Sequence, residues 1–161
     1  MADPEVKELA GADLEFVEAE FLTIRQSTVR SVEGGHVELQ QVGALSLDGE
    51  RVEMTQSAST IVRGGDITLN QGISVVTAGN AVSLNYSFSQ ISLSRDSTTV
   101  SRSAVGIMGA RTITAENSAS ILTIANRVEG EMTTLLDWRS ALALGAVFGG
   151  ILGFFSLFRK R

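Results

Sequence analysis

The side chains that could do chemistry in this chain are few and scattered. His36 is the only imidazole. Two residues on, Glu38 precedes Glu53 by fifteen residues, a spacing that recurs elsewhere and would stack the two carboxylates. Paired carboxylates are what general acid/base work requires. Arg51 and Arg63 lie near enough in sequence to neutralise such a pair, so a salt-bridged surface is the expected outcome. A solvated histidine is the expected state of His36. Gly64-Gly65-Asp66 matches a calcium-binding turn that must recur in successive coils, and it occurs once. Neither Gly34-Gly35 nor Gly64-Gly65 opens a helix, which removes a phosphate cradle. There is no cysteine, hence no disulfide, thiolate ligand or thiol nucleophile. One histidine excludes a multi-histidine metal site. No catalytic, metal or cofactor site is expected, and the chain does not read as an enzyme.

What the residues do instead is repeat. Cut every fifteen residues, the chain gives blocks beginning at Phe21, His36, Arg51, Asp66 and Ala81. One extra residue falls near Arg95–Asp96, and the frame resumes at Ser97, Thr112 and Arg127 before fading near Leu136. The second column contains Val37, Val52, Ile67, Val82 and Ile113, and the fourth contains Leu39, Met54, Leu69 and Leu84. These nine are the expected core. The sixth column opens with Gln26, Gln41, Gln56 and Gln71, with serines following in several blocks. The eighth column is often apolar, and the eleventh is mostly Ile or Val in the later blocks. The fourteenth is small throughout, as at Gly34, Gly49, Gly64 and Gly79. Small residues there predict a corner needing either a positive φ or close backbone approach.

Apolar residues at the second and fourth positions alternate with polar neighbours, which is strand periodicity. A fifteen-residue unit is too short to bury its own apolar side chains, but stacked on copies of itself it can. Equivalent residues then lie about 4.8 Å apart along the stack. Stacked glutamines can bond amide to amide along that direction. The expected fold is all-β: a single-stranded β-solenoid (β-helix) of about seven to eight coils over residues 21–136, plus a C-terminal transmembrane α-helix. Proline occurs once, at Pro4, so nothing interrupts a strand ladder. The competing reading is an antiparallel sandwich with evenly spaced strands. It does not require one residue type at one phase in successive strands, and no Asn-Gly or Asp-Gly turn occurs apart from Asp48-Gly49.

The formal net charge of −5 conceals three zones. Residues 1–20 carry −6, residues 21–136 carry −2 and residues 137–161 carry +3. A nearly neutral middle with 6% aromatics offers no phosphate-binding stripe or base-stacking surface, so nucleic acid is not an expected partner. Residues 1–20 are expected to form an acidic cap or arm, built either as a short helix or as an irregular first coil. Either would cover an open strand edge; a partner-binding arm is the alternative.

From Ser140 to Phe158 no residue is charged: nineteen residues, about 28 Å as a helix. That length matches a hydrocarbon core of about 30 Å. Residues 137–161 are therefore expected to be a single-pass anchor. Trp138 and Arg139 flank one end, Phe154, Phe155 and Phe158 lie near the other, and Arg159, Lys160 and Arg161 close it. Gly145, Gly149 and Gly153 share one helix face on which a second helix can pack closely in lipid. The basic terminus argues for a cytoplasmic C-terminus. The lack of an apolar leader argues more strongly for a tail anchor with the solenoid in the cytoplasm.

The run Arg127-Val128-Glu129-Gly130-Glu131-Met132 resembles the Gly-Arg-Val-Glu-Gly-like stretches of bactofilins, the bacterial polymer-forming cytoskeletal β-helices. The resemblance covers residues 21–136 in architecture. It implies a triangular β-helix, end-to-end filaments, membrane association and recruitment of other proteins. The expected function is thus a non-catalytic, membrane-anchored scaffold that assembles into filaments or oligomers. Its expected partners are a lipid bilayer, further copies of itself and an unidentified protein. The alternative is a tethered monomer presenting a polar solenoid face to a protein partner. Clustering of the C-terminal helices into an oligomeric core is a third possibility. An ice-binding array is disfavoured, because the third column mixes Thr23, Thr68, Thr99 and Thr114 with Glu38, Glu53 and Glu129.

Overall fold

Alternating side chains in equal segments lead to one parallel ladder. The structure, a computed structural model, describes residues 6–11 and 13–137. Its eight strands are β1 (Val6–Ala10), β2 (Asp13–Arg25), β3 (Thr28–Gln40), β4 (Gly43–Thr55), β5 (Ala58–Asn70), β6 (Ile73–Asn85), β7 (Phe88–Ser101) and β8 (Ala104–Asp137). They form a single sheet in sequence order, and each pairing between successive strands is parallel. The register is the repeat itself: Val37 faces Val52, and Val52 faces Ile67. The chain is an all-β parallel solenoid of about seven turns. Gln26 faces Gln41 across the ladder rather than across a hairpin, which removes the sandwich.

Burial divides each coil into three sides. In residues 51–65 the inward side chains are Val52 and Met54, then Ser57 and Ser59, then Val62 with Gly64. Between these pairs two consecutive residues lie on the outside, so the alternation slips phase three times per turn. A strand cannot do this without bending, and the slips mark three corners. The first side is residues 51–55, the second 56–60 and the third 61–65, and the other coils follow. Val37, Leu39, Val52, Met54, Ile67, Leu69, Val82, Leu84 and Ile113 all lie inside, none more than 2% exposed. They fill the first side of the interior.

The ladder differs from the sequence expectation at its start and refines it elsewhere. It begins at Val6, which pairs with Phe21, rather than at Phe21. Residues 6–11 and 13–20 are a coil of the solenoid, not a helix, with Val17 and Ala19 buried and their acidic neighbours outward. The other buried columns are the seventh, ninth and twelfth. The eighth and eleventh, apolar in several coils, point outward: Ile73, Phe88 and Ile107 are exposed. The fourteenth column needs close approach rather than a positive φ. A Cβ at Gly64 would lie 2.5 Å from the carbonyl oxygen of Gly49 in the coil below. The extra residue at Arg95–Asp96 appears as a bulge, with shifts between Gly79 and Ala81 and between Leu93 and Ser97.

Candidate functional site

The repeat presents corners, sides and ends as its candidate functional surfaces. The corner between the first and second sides is the most regular. There the backbone turns through a left-handed residue, with φ of 49° at Gln26, 56° at Gln41, 50° at Gln56 and 53° at Gln71. Tyr86, Arg102 and Asn117 continue the series, and Gly11 occupies the same phase in the first coil. Such residues are rare outside glycine, because Cβ crowds the carbonyl. Here their side chains offset that strain. Gln26 Nε2 donates to Gln41 Oε1, Gln41 to Gln56 and Gln56 to Gln71, each at 3.2 Å. Higher up, the Arg102 guanidinium donates to the Tyr86 hydroxyl and sits over its ring. Beside this ladder Asn85 Nδ2 donates to Asn70 Oδ1 at 3.1 Å.

The serines after the corner complete it. Ser27, Ser57, Ser87, Ser103 and Ser118 each donate to the carbonyl two residues back, at 2.7 to 2.9 Å. Their oxygens also accept from the coil below: Val42 N–H donates to Ser57 Oγ and Gly72 N–H to Ser87 Oγ, both at 3.1 Å. A buried amide that the turn would leave unpaired is thereby satisfied.

The three sides differ in charge. The first carries Arg25, Glu38, Arg51, Glu53 and Asp66, and the third carries Glu33, Asp48, Glu50 and Arg63. The second has Asp13, Glu15 and Arg30 at its lower end. From Gly43 to Ile121 its only charged residue is Arg102 at the corner. Much of its upper part is apolar and solvent-facing, including Leu45, Ile73, Phe88 and Ile121.

Glu38 and Glu53 do stack in register, but the expected neutralisation is not there. Among the described residues Arg51 and Arg63 pair with neither; ion pairs there include Arg30–Glu15, Arg111–Asp96 and Arg127–Glu129, at 3.9 to 4.0 Å on exposed side chains. Arg63 sits on the third side and the two glutamates on the first, so spacing along the chain misjudged proximity around the coil. His36 is half-buried and its ring lies 6.1 Å from that of Phe21. Among the described residues no three of His, Asp and Glu gather where a metal ion would sit. The first coil leaves the lower edge of β1 and the start of β2 without a further strand among the described residues. The expected anchor (Trp138, Arg139, Phe154, Phe155, Phe158, Arg159, Lys160, Arg161) and its glycine face (Gly145, Gly149, Gly153) lie outside the described residues, which contain no helix that could cross a membrane. Comparison with protein-family models, curated proteins and solved structures finds no match.

Proposed function

We propose that this protein is a non-catalytic, membrane-anchored scaffold whose solenoid assembles with further copies of itself, in the manner of the bactofilin-like polymers it resembles in architecture. The observation that carries this reading is the in-register parallel ladder. Each coil is built to receive another of the same length, and β1 is the outermost strand of the sheet among the described residues. A stack of this kind grows by adding units without any new design. The apolar, charge-free run to Phe158, with its basic close, supports anchorage in a bilayer. The side toward which the solenoid faces follows the tail-anchor argument and is proposed as cytoplasmic.

Two measurements test the reading. The full chain in detergent is expected to form rods or filaments by negative-stain electron microscopy, and strictly monomeric particles at high concentration would favour the tethered binding module instead. Deleting residues 138–161 is expected to move the protein from membranes to the soluble fraction. Persistent membrane association of that variant removes the anchor.

A further inference from the structure

Self-assembly through the ends leaves the uncharged second side unexplained. We propose that this side is where a second copy of the chain packs, the two solenoids lying side by side and pointing the same way. The proposal deepens the scaffold reading and rests on it, because it takes the two tails as sharing one bilayer.

Charge gives the first argument. A surface meeting its own copy brings like charges together unless it has none. From Gly43 to Ile121 this side carries no charge except Arg102 at its corner, while the other two sides carry most of the solenoid's ionised residues. Apolar side chains are nonetheless spent on solvent there: Ile73 is 57% exposed and Ile121 53%. Monomeric surfaces seldom arrange such residues in a continuous stripe without a use for it.

Size gives the second. Each coil presents two outward residues on this side, two positions apart. A twofold axis along the rod sets one against the other at the same height. Gly43 then faces Leu45, and Ala119 faces Ile121. In these two pairs the large member fills the space left by the small one. Ile73 and Val75 meet at the middle.

Area and the tail give the third. Six coils about 4.8 Å apart and five residues wide make a patch of about 480 Å² per copy, below the ~800 Å² per partner of a standard stable interface. The side alone supports only a weak pair. Both copies enter their tails just after Asp137, at the same end of the rod. Confinement in one bilayer raises the effective concentration of one copy near the other. It also fixes the parallel direction, because both copies enter the bilayer by the same end.

The natural absence of cysteine makes single-cysteine cross-linking clean. In the full chain reconstituted in liposomes, Thr28→Cys, Ala58→Cys and Ala119→Cys should each join to their own counterpart through a short bismaleimide. Thr114→Cys on the first side should not. The double variant Ile73→Asp/Phe88→Asp should lower joining at Thr28→Cys and Ala119→Cys at least tenfold while leaving the strand circular dichroism unchanged. Joining at Ala58→Cys alone would indicate an antiparallel pair and overturn the proposal, as would equal joining at Thr114→Cys. Protection of Ala58→Cys from a water-soluble maleimide without any joining would place this side on lipid and overturn it too. Filaments by electron microscopy without joining at any of the three sites would sink the lateral contact and leave the scaffold standing. Monomers without joining would sink both.

Discussion

Gln41 is held in a backbone conformation that it would not adopt alone. The left-handed region costs a residue with a Cβ roughly 1–2 kcal/mol, and each amide bond in a ladder returns about 0.5–1.5 kcal/mol. Gln41 makes two such bonds, one to each neighbour, so strain and bonding nearly balance. Gly11, in the same phase of the first coil, resolves the strain by having no Cβ. Gln41→Ala therefore keeps the strain and loses the bonds, while Gln41→Gly loses the bonds and relieves the strain. Urea unfolding should show the alanine variant less stable than wild type by about 1–3 kcal/mol, and less stable than the glycine variant by about 1 kcal/mol. Equal stabilities would show that φ at the corner carries no penalty. The interior offers a second case. Ser74 Oγ and Thr77 Oγ1 share a hydrogen bond at 2.8 Å, and Ser74 Oγ donates to Ser89 Oγ at 3.1 Å. Ser92, fully buried one coil above Thr77, has a hydroxyl with no partner. A buried unpaired hydroxyl costs about 1–3 kcal/mol. Ser92→Ala should raise the unfolding midpoint, and a clear fall would reveal a bonding partner for that oxygen.

At the scale of the coil, the element is a unit of three short sides, and its length is set by packing at the third corner. Gly34, Gly49, Gly64 and Gly79 hold that corner in the lower coils, where a Cβ would lie 2.5 to 3.0 Å from the carbonyl oxygen below. At Ser94, Ala110 and Ala125 it is held by residues that have a Cβ. The change occurs at the coil where Arg95 and Asp96 together oppose Asn80. A bulge bends and opens its strand locally, and Ser94 Oγ uses the added room to bond Thr98 Oγ1 at 2.7 Å. Deleting Asp96 restores the fifteen-residue spacing but returns Ser94 to a site fitted for glycine. Denaturant titration should show a loss of about 1–3 kcal/mol; an unchanged or higher stability would mean the bulge is incidental. The repeat length and the inward second and fourth columns were legible because Val, Ile, Leu and Met keep their phase there. The rest was hidden for identifiable reasons. The ninth and twelfth columns pass through Ser59, Ser74, Thr77, Ser89 and Ser92, all buried; Ser74 bonds both Thr77 and Ser89 there, yet in the sequence all five read as surface. Ile73 and Phe88 are the converse, apolar side chains that point outward. The first coil was masked by outward carboxylates at Glu8, Glu15, Glu18 and Glu20, which outweigh the inward Val17 and Ala19. The glutamine column was visible, but its left-handed backbone was not, since glutamine is no usual occupant of that region. The charge-free side is written in the eighth and tenth columns, and it becomes a surface only once the corners say which residues share a side.

Over the whole molecule, the backbone hydrogen bonds between coils run along the rod, as do the glutamine and asparagine side-chain bonds. A load applied between the lower end and the tail is therefore carried in full by every inter-coil seam, because the seams are arranged in series, and the weakest yields first. Stability in such an array is a sum of neighbour contacts, so the seams should yield one after another rather than together. Each release frees fifteen residues, with a contour gain of about 50 Å after subtracting the spacing the coil already spanned. Optical-trap extension of a single tethered molecule should show a sawtooth of about seven such increments, and one large cooperative rip would exclude serial yielding. A rod of this construction would behave under tension as an extensible shock absorber, lengthening by whole coils while the remainder holds, and recoiling as each coil finds the template still standing beside it.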